Sequence, residues 1–387
     1  MNNTPENSKV PEISLATKFQ EQKVSRPIYG LEPFFGGSHK EFLQGLKNHL
    51  DWPFRILPMS PHHWKWRMHR SAQYYADVIR KEQLEPGIIF ASDFTHLSAL
   101  RGLMDSPSQW TWLLYFHENQ LTYPFRDKRE RDLTFAHMNI QSAMAADRVY
   151  FNSAFHLRDF LEAIPEFYQR FVDYKPRELV QRIRSKSIVM PLGLDLQRFD
   201  SVSPPSNESD AGTILWNQRW EHDKNPELFF RSLFQLAEDE IPFNLIVCGE
   251  RFEDYPAIFD TARERLSGHI LHWGYAEEWA RYAELLHHAD IVLSTAQHEF
   301  FGIAALEALY CRCYPLFPKR LVYPEYVPEA RQGQNLYTSD RDLYRKLKFA
   351  LTRLEGTRNI HFRDIAGEFD WTRMAPRWEQ LFSSWDR

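Results

Sequence analysis

The chain has 387 residues, a formal net charge of −5 and a pI near 6.4. That length exceeds the size at which one hydrophobic core keeps growing, so two domains are expected. The negative charge excludes a uniformly basic nucleic-acid-binding surface, so any nucleic acid must be held by a local patch. The three cysteines, Cys248, Cys311 and Cys313, fit neither a disulfide framework nor a zinc pair, and this predicts reduced thiols in a cytoplasmic protein.

Residues 1–26 are predicted to be a mobile tail. They are rich in Asn, Ser, Pro, Glu and Lys, and they lack the apolar core of a signal peptide. No stretch of the chain approaches the roughly 18 apolar residues of a membrane span. We therefore expect no membrane partner.

Residues 27–200 are predicted to form a first domain. Short apolar runs alternate there with longer amphipathic stretches, which is typical of βαβ units around a parallel sheet. The predicted strands are Ile28–Pro33, Phe54–Leu57, Gly87–Ala91, Thr111–Phe116, Arg148–Phe151 and Ser187–Met190. The predicted helices include Lys40–His49, Ser71–Gln83 and Ala136–Ala145.

Residues 201–212 are rich in Ser, Pro, Asn and Asp, so they are predicted to be a linker. The same rhythm restarts in residues 213–387, the predicted second domain. Its predicted strands are Thr213–Trp216, Phe243–Cys248, Ile270–His272, Ile291–Ser294 and Cys313–Leu316, and its helices are Pro226–Ala237, Glu277–His288, Gly302–Tyr310, Arg341–Leu354 and Trp371–Trp385. Two doubly wound α/β domains bring the carboxyl ends of both sheets to a shared cleft, where ligands bind.

The segment Glu299–Glu307 follows a predicted strand and opens a helix. Free N–H groups and the helix dipole favour an anion at such a place, and Gly302 permits close approach to the backbone. Glu299 and Glu307 could accept hydrogen bonds from the paired hydroxyls of a sugar and a ribose. The alternative is an N-terminal glutamate stabilised by the helix dipole, plus an exposed glutamate.

Arg219 and Lys224 lie between the first strand of the second domain and the helix that begins near Pro226. A forked guanidinium and an ammonium at that point suit a diphosphate. The alternative is a solvated turn in which these cations pair with Glu221 or Asp223.

Two polar segments follow strands of the first domain. Gly36 and Gly37 precede a helix and could admit a phosphate or sugar against the backbone, although a Gly-Gly turn is common. His117, in the polar run His117–Gln120, could contact a sugar hydroxyl and be oriented by Glu118. The alternative is a structural histidine.

Basic and aromatic side chains interleave in His62–Arg70, as they do in nucleic-acid contacts that combine phosphate pairing with base stacking. The alternative is a surface loop whose tryptophans dock on the core. Three histidines are also present, but they have no carboxylate or cysteine partner at metal-ligand spacing, so no metal is predicted.

Together these segments resemble the GT4 group of retaining glycosyltransferases, which have the GT-B fold of two Rossmann-like domains facing across a cleft. Glu299 and Glu307 match the E-x7-E motif of that group, and Arg219 and Lys224 match its diphosphate-binding pair. Residues 191–199 match the P-x-G-x-D-x-x-x-F stretch that ends the first domain. Asn217 and Gln218 depart from the pattern, because many GT4 enzymes have a glycine before the arginine. The resemblance implies a C-terminal helix that closes back toward the first domain.

The first domain is similar to the tRNA-queuosine mannosyltransferase family, and the similarity covers most of the chain beyond the tail. The segments that carry it are Glu32–Lys40, Trp64–Arg67, Phe90–Ser92, Tyr115–Pro124 and Phe151–Ser153. This resemblance implies transfer of mannose from GDP-mannose to queuosine in the anticodon of aspartate tRNA. A sugar nucleotide and a queuosine-containing tRNA are thus the expected partners.

The resemblance also implies roles for individual residues. Arg219 and Lys224 would neutralise the leaving diphosphate, so neither a metal nor another cofactor is expected. The predicted catalytic residues are Glu299, His117, Arg219 and Lys224. The donor-binding set adds Gly36, Gly37, Phe300, Phe301, Gly302, Ile303 and Glu307. The acceptor set is His63, Trp64, Lys65, Trp66, Arg67, Arg70, Glu118 and Asn119.

Three rival functions stay open. A GT4 enzyme with a lipid, glycan or small-molecule acceptor would have the same fold, but a lipid acceptor would favour an amphipathic first-domain helix that the sequence does not show convincingly. A catalytically silent RNA- or nucleotide-binding protein would bind nucleotide without turnover. A sugar-nucleotide epimerase would consume the donor without an acceptor.

Overall fold

The computed structural model describes residues 25–124, 132–173, 175–176, 178–203, 209–252 and 254–386. Within them the chain forms two parallel six-stranded sheets with helices packed on them. Residues 1–24 of the predicted tail and residues 204–208 of the predicted linker lie outside the described residues. None of the described helices is long and apolar enough to cross a membrane.

The first sheet has the strand order β2-β1-β3-β4-β5-β6. Its strands are β1 (Ile28–Glu32), β2 (Phe54–Pro58), β3 (Ile88–Ser92), β4 (Thr111–Phe116), β5 (Arg148–Phe151) and β6 (Ser187–Val189). The helices that accompany it are α1 (Gly37–His49), α2 (Trp64–Lys81), α3 (Leu97–Leu103), α4 (Leu133–Ala145), α5 (Ala154–Gln169) and α6 (Leu179–Arg184).

The second sheet has the order β12-β11-β10-β7-β8-β9. Its strands are β7 (Gly212–Trp216), β8 (Phe243–Val247), β9 (Ile270–Trp273), β10 (Ile291–Leu293), β11 (Tyr314–Pro318) and β12 (Leu336–Tyr337). The helices are α7 (Pro226–Glu238), α8 (Ile258–Arg265), α9 (Trp279–His288), α10 (Ile303–Tyr310), α11 (Glu329–Asn335), α12 (Asp340–Thr352), α13 (Leu354–Arg358), α14 (Arg363–Gly367) and α15 (Trp371–Ser383).

The strand orders fix where ligands bind. The chain order reverses between β1 and β3 in the first sheet, and between β7 and β10 in the second. Crevices outside the carboxyl ends of the strands at such reversals are the binding places of doubly wound sheets. The first reversal collects the loops that follow β1, β3 and β4, and the second collects the loops after β7 and β10.

The predicted strands of both domains are confirmed, and β4 and β5 have the predicted limits. The side chains of β4 and β5 are almost entirely buried, because helices cover both faces of the sheet at its centre. The prediction missed β12, and it placed the start of α2 at Ser71 instead of Trp64. Because α2 starts early, most of the basic and aromatic segment His62–Arg70 is helical and is not a surface loop.

The C-terminal helix returns to the first domain, as the resemblance implied. Trp378 of α15 is fully buried, and its ring packs against Phe42, Phe90, Tyr115 and Tyr150 of the first domain. Burying a tryptophan of this size contributes a large part of the energy that docks the helix. Helix α15 therefore attaches the second domain to the first.

The first described residues lie close to the last ones. Arg26, which the prediction included in the tail, donates its backbone N–H to the Asp386 carboxylate, 2.9 Å away. Its guanidinium donates to the Gly87 and Gln109 carbonyls and to the Thr111 hydroxyl. The two ends of the described chain are thus hydrogen-bonded to each other near the starts of β3 and β4.

The two domains also meet directly beside the cleft. The Ser153 hydroxyl donates to the Phe300 carbonyl at 2.7 Å, and the His156 ring stacks on Phe300 with centroids 3.9 Å apart. The Glu325 carboxylate accepts hydrogen bonds from the backbone N–H groups of Ala154 and Phe155 at the start of α5. The cleft is closed on this side.

Candidate active site

The loop after β7 is tied to the helix that faces it. Asn217 donates to the Ala304 carbonyl at 2.8 Å, and Gln218 donates to the Ser294 hydroxyl at 2.8 Å. These two residues are the departure from the GT4 pattern seen in the sequence. Because they bind α10 and the end of β10, they fix the loop that carries Arg219 and Lys224.

Lys224 is buried, and its ammonium donates to the His298 carbonyl at 3.0 Å and to the Glu299 carboxylate at 3.3 Å. It also pairs with Asp223 at 3.1 Å. Burial opposes the charge, but Glu299 and Asp223 outweigh it and raise the pKa of Lys224. Lys224 therefore stays protonated, next to the loop that leads into α10.

Arg219 is half exposed, and its guanidinium pairs with Glu221 at 3.0 Å. This pair realises one of the alternatives considered for the segment, an ion pair in a turn. Burial opposes the charge on Arg219, whereas Glu221 and other anionic groups raise its pKa. A diphosphate in the cleft would compete with Glu221 for the guanidinium, so the pairing does not exclude a binding role.

Glu299 is hydrogen-bonded both to Lys224 and to the start of α10. One carboxylate oxygen accepts from the Gly302 N–H at 3.0 Å, and the other accepts from Lys224. Gly302 adopts a left-handed conformation with φ of 73°, which favours glycine, and it precedes the first residue of α10. The predicted helix start is therefore present, and Glu299 caps it, which is the alternative stated for this glutamate.

Glu307 is buried, so the alternative of an exposed glutamate is wrong. One oxygen accepts from Arg198 at 3.1 Å and the other from the Tyr282 hydroxyl at 2.8 Å. Burial raises the pKa of Glu307, and both partners oppose that rise. Each oxygen retains a second lone pair that could accept from a ribose hydroxyl.

Phe300 and Phe301 need a correction. They were predicted to contact the donor, but both side chains are buried: Phe300 lies against His156, and Phe301 packs on Phe369. Their rings support the loop between β10 and α10. Contact with a donor is left to the backbone of this loop and of Ile303, the first residue of α10.

Gly36 and Gly37 lie at the start of α1, on the first-domain wall of the cleft. A Cβ atom on Gly36 would lie 2.7 Å from the Pro61 side chain, and Gly37 has a left-handed φ of 49° with open space beside it. The first turn of α1 has no acidic residue and no side-chain cap. Its backbone N–H groups are therefore available to an anion.

His117 follows β4 at the floor of the cleft. Its backbone N–H donates to Asp93 at 2.9 Å, and its carbonyl accepts from Asn152 at 2.8 Å. Burial lowers the pKa of His117 well below its ordinary value, and the neighbouring His39 and His156 rings lower it further. Its side chain is only partly covered, so a neutral imidazole faces the cleft.

Next to His117 lies a pair that the sequence did not reveal. His39 of α1 donates to the fully buried Glu32 carboxylate at 3.0 Å, and its ring lies 4.1 Å from the His117 ring, centroid to centroid. Burial opposes a charge on His39, but Glu32 outweighs it and raises the pKa of His39 to about 9. The sequence signal that could have revealed this pair is Glu32 itself, because a carboxylate at the end of a buried strand needs a hydrogen-bonding partner.

The same side chains are the one candidate metal group within the described ranges. Glu32, His39 and His117 each offer a ligand atom, and these atoms lie within 4.8 Å of one another. A cation would have to displace the proton of His39 and break its ion pair with Glu32. The arrangement therefore favours a protonated histidine over a metal ligand.

Glu118 and Asn119 have different places. Glu118 is partly exposed and accepts from Gln120 at 3.0 Å; burial raises its pKa, while His39 and Arg219 oppose that rise. The influence of Arg219 shows that Glu118 faces the second domain. Asn119 was predicted to contact the acceptor, but it is fully buried, and its oxygen accepts from the N–H groups of Leu121 and Thr122.

The basic and aromatic segment forms the first two turns of α2, preceded by His63 in a left-handed conformation. Trp64 contacts Phe94 and Phe135, so this tryptophan docks on the core as one alternative stated. The remaining side chains divide between the two faces of the helix. Exposed are His63, Lys65, Trp66 and Arg70; Arg67 is partly covered and its guanidinium donates to the His62 carbonyl.

Trp66 is the exposed aromatic residue of this segment, with 56% of its surface accessible. The Arg70 guanidinium lies over its ring, 5.5 Å from the centroid. Pro61, two residues before His63, lies beside Gly36, since a Cβ atom on that glycine would be 2.7 Å from the Pro61 side chain, so α2 begins next to the glycines of the first-domain wall. We call Lys65, Trp66 and Arg70 the α2 patch.

Comparison with known proteins identifies the family. Residues 27–194 match the family model described as tRNA-queuosine alpha-mannosyltransferase N-terminal. The tRNA-queuosine alpha-mannosyltransferase of Drosophila melanogaster is 37% identical over 327 residues, which cover 82% of this chain and 85% of that protein. The chain belongs to the tRNA-queuosine alpha-mannosyltransferase family.

The second domain and the architecture place this family member among glycosyltransferases of GT-B fold. Residues 200–354 match the model described as glycosyl transferases group 1. Sucrose-phosphate synthase from Thermosynechococcus elongatus superposes with a TM-score of 0.68 at 14% identity, covering 93% of this chain and 99% of that one. Anabaena HepE in complex with UDP superposes with a TM-score of 0.62 at 17% identity, covering 92% of this chain and 100% of that one.

The fold thus brings together part of the predicted set of site residues. Arg219, Lys224, Glu299 and Gly302 form one wall, and His117, Glu118 and the glycines before α1 form the other. Sequence reasoning missed Glu32 and His39, and it missed Arg198 and Tyr282, which hold Glu307. The α2 patch lies outside the wall residues, at the mouth.

Proposed function

We propose that this protein transfers mannose from GDP-mannose to queuosine in the anticodon of aspartate tRNA, with retention of the anomeric configuration. The observation that carries the proposal is the cleft itself. A wall that holds two cations, Lys224 and Arg219, each paired with carboxylates, faces a wall with a neutral imidazole; we call the first the cationic wall. The Drosophila relative of this chain is named for the proposed activity. A tRNA acceptor would place the reaction in the cytoplasm.

The cationic wall suits a nucleoside diphosphate. Arg219 would turn from Glu221 to the phosphates, and Lys224 and the N–H groups at the start of α10 would add fixed positive potential. These groups act on charge that develops on the leaving diphosphate, so they stabilise the transition state more than the ground state. HepE, which has the same fold, was solved in complex with UDP, which supports a nucleotide ligand for a protein of this fold.

The sugar would lie between Glu299 and His117. Glu299 would accept hydrogen bonds from its hydroxyls, with Lys224 and Gly302 holding the carboxylate in place. The described part of the cleft offers no evident nucleophile for a covalent intermediate. We propose a front-face displacement in which the acceptor hydroxyl attacks the anomeric carbon, the bond to the diphosphate breaks, and the leaving phosphate oxygen takes the hydroxyl proton. The cationic side chains would make a metal unnecessary.

The decisive experiment is mass spectrometry of tRNA nucleosides after incubation of the protein with GDP-mannose and queuosine-containing aspartate tRNA. We expect a hexose on queuosine, released by an α-mannosidase, and unchanged transfer in the presence of EDTA. Matched reactions with UDP-glucose, with the same tRNA lacking queuosine, and with other queuosine-containing tRNAs define donor and acceptor. Transfer from the UDP-sugar alone, or onto tRNA without queuosine, would contradict the proposal.

The α2 patch is proposed to bind the anticodon arm. Lys65 and Arg70 supply cations for phosphates, and the exposed Trp66 offers a ring for base stacking beside the cleft mouth. Because the protein is acidic overall, this local patch would have to supply much of the attraction. Binding through phosphates weakens steeply with salt.

Removing the α2 patch should weaken tRNA binding and leave the donor site intact. We expect Trp66→Ala to raise the KM for tRNA by about tenfold, because base–aromatic stacking contributes about 1–3 kcal/mol. Lys65→Ala with Arg70→Ala should lower the slope of log K against log salt by roughly one for each phosphate that the protein no longer binds. Lys81→Ala, at the other end of α2, is the matched control. A KM for tRNA unchanged in both patch variants would contradict the assignment.

A further inference from the structure

Two imidazoles contact each other at the floor of the cleft with their planes tilted by 32°, and a buried carboxylate is hydrogen-bonded to one of them. The rings of His39 and His117 lie 4.1 Å apart, too close for both to carry a charge at low cost. Glu32 is fully buried and hydrogen-bonded to His39 at 3.0 Å. Its other oxygen accepts from the Phe34 N–H at 2.9 Å, which fixes the carboxylate.

We infer that Glu32 places the single positive charge of the two adjacent imidazoles on His39, so that His117 meets the donor sugar as a neutral ring. His39 is thus a positioning residue that acts through His117. The charge placement rests on contacts of the free protein, whereas its consequence for catalysis rests on the proposed function. None of the sequence motifs assigned His39 or Glu32 any role.

The surroundings of His117 agree with this placement. The groups around it are His39 from α1, the Asp93 carboxylate after β3, Tyr115 of β4, Glu118 next to it in the chain, and His156 of α5. The Asp93 carboxylate accepts from the backbone N–H of His117, and His156 is buried and hydrogen-bonded to Asn152. Burial and the charge on His39 lower the pKa of His117, whereas Glu32 raises that of His39 to about 9.

A neutral His117 matters because positive charge develops on the sugar ring as the bond to the diphosphate breaks. A protonated His117 in contact with that ring would oppose the charge, and a neutral imidazole still donates or accepts one hydrogen bond. The ion pair with Glu32 holds the proton on the ring farther from the cleft. His117 can therefore make its hydrogen bond to the sugar while the positive charge stays on His39.

The direct test is ¹⁵N NMR of histidine-labelled wild-type protein, with His39→Gln and His117→Gln samples to identify the two signals. We expect the His39 ring to be protonated and the His117 ring neutral throughout roughly pH 6 to 8. A neutral His39 at pH 7, or a His117 that gains a proton above pH 6, would overturn the inference. This measurement needs neither donor nor acceptor, so failure of the proposed transfer activity would be seen separately.

The second test is the pH dependence of kcat/KM in Glu32→Gln and in the double variant Glu32→Gln with His39→Gln. The double variant replaces both partners of the ion pair, so it leaves no buried charge unpaired. Removing the charge on His39 should raise the pKa of His117, so activity should fall as pH is lowered through that pKa, up to about tenfold per pH unit. Wild type should stay level over the same range.

His49→Gln is the matched control, because His49 is an exposed histidine on the same helix and stacks on Trp371 outside the cleft. Its profile should follow wild type. Wild-type profiles in both folded cleft variants would overturn the inference. So would stoichiometric binding of zinc chloride to the wild-type protein in calorimetry that is abolished in His39→Gln, because it would make these side chains metal ligands.

Discussion

Replacing Arg219 with alanine should lower kcat/KM for mannose transfer by about 10²–10³-fold, the usual cost of removing one preorganised donor to a developing anion. The side chain is half exposed and pairs with Glu221 at the surface of the loop. Surface ion pairs contribute little to folding, so the variant should unfold at nearly the wild-type temperature. Loss of activity without loss of stability would identify Arg219 as a group that acts on the diphosphate.

Two further variants define that result. Arg219→Lys should recover only part of the activity, because an ammonium cannot reproduce the two-pronged contact of a guanidinium with phosphate oxygens. Arg231→Ala removes an exposed arginine of α7 that pairs with Asp340, and it should behave as wild type in single-turnover and steady-state assays. Activity of Arg219→Ala within about threefold of wild type would remove Arg219 from the mechanism.

The fold was predictable because its signals are local. An uninterrupted apolar run bounded by polar residues, as in β4, indicates a strand buried on both faces, and its limits follow directly. The start of α2 was missed because aromatic and basic residues obscured the helical spacing, although Met68, Ala72 and Tyr75 recur on one buried face. His63, in a left-handed conformation, gives no sequence signal for a helix start.

The site was only partly predictable, for a different physical reason. Arg219, Lys224, Glu299 and Gly302 lie in loops next to strand ends, where motif and position agree. The partners of Glu307 are distant in the chain: Arg198 is 109 residues away and Tyr282 is 25 away. The Arg198 contact depends on how the domains pack, and the Tyr282 contact on how α9 packs against α10, neither of which a local pattern specifies.

Burial was the other quantity that sequence alone could not supply. Asn119 and the aromatic pair after Glu299 had the composition and location of contact residues, yet they are core residues. The opposite error concerned His39, which appeared as one more polar residue after two glycines. Its importance comes from the buried Glu32 seven residues earlier, to which it is brought by the turn before α1.

Replacing Trp378 with alanine should cost about 3–5 kcal/mol in the free energy of unfolding, the largest stability change that we predict for a single substitution. Its ring is fully buried among Phe42, Phe90, Tyr115 and Tyr150, so removing it leaves a cavity under the first sheet. Because the side chain comes from the last helix, the substitution should also loosen the attachment between the domains. Urea unfolding followed by tryptophan fluorescence and by circular dichroism measures both effects.

The matched control is Trp66→Ala, which removes the same side chain from an exposed helical position and should change stability by no more than about 0.5 kcal/mol. Two transitions in the Trp378→Ala protein, where wild type shows one, would mean that the domains unfold separately once the helix is loosened. A midpoint equal to that of Trp66→Ala would instead show that α15 contributes little to the contact between domains. Tyr115 contacts both Trp378 and His117, so a shift of Tyr115 toward the cavity would displace His117, and activity should fall together with stability.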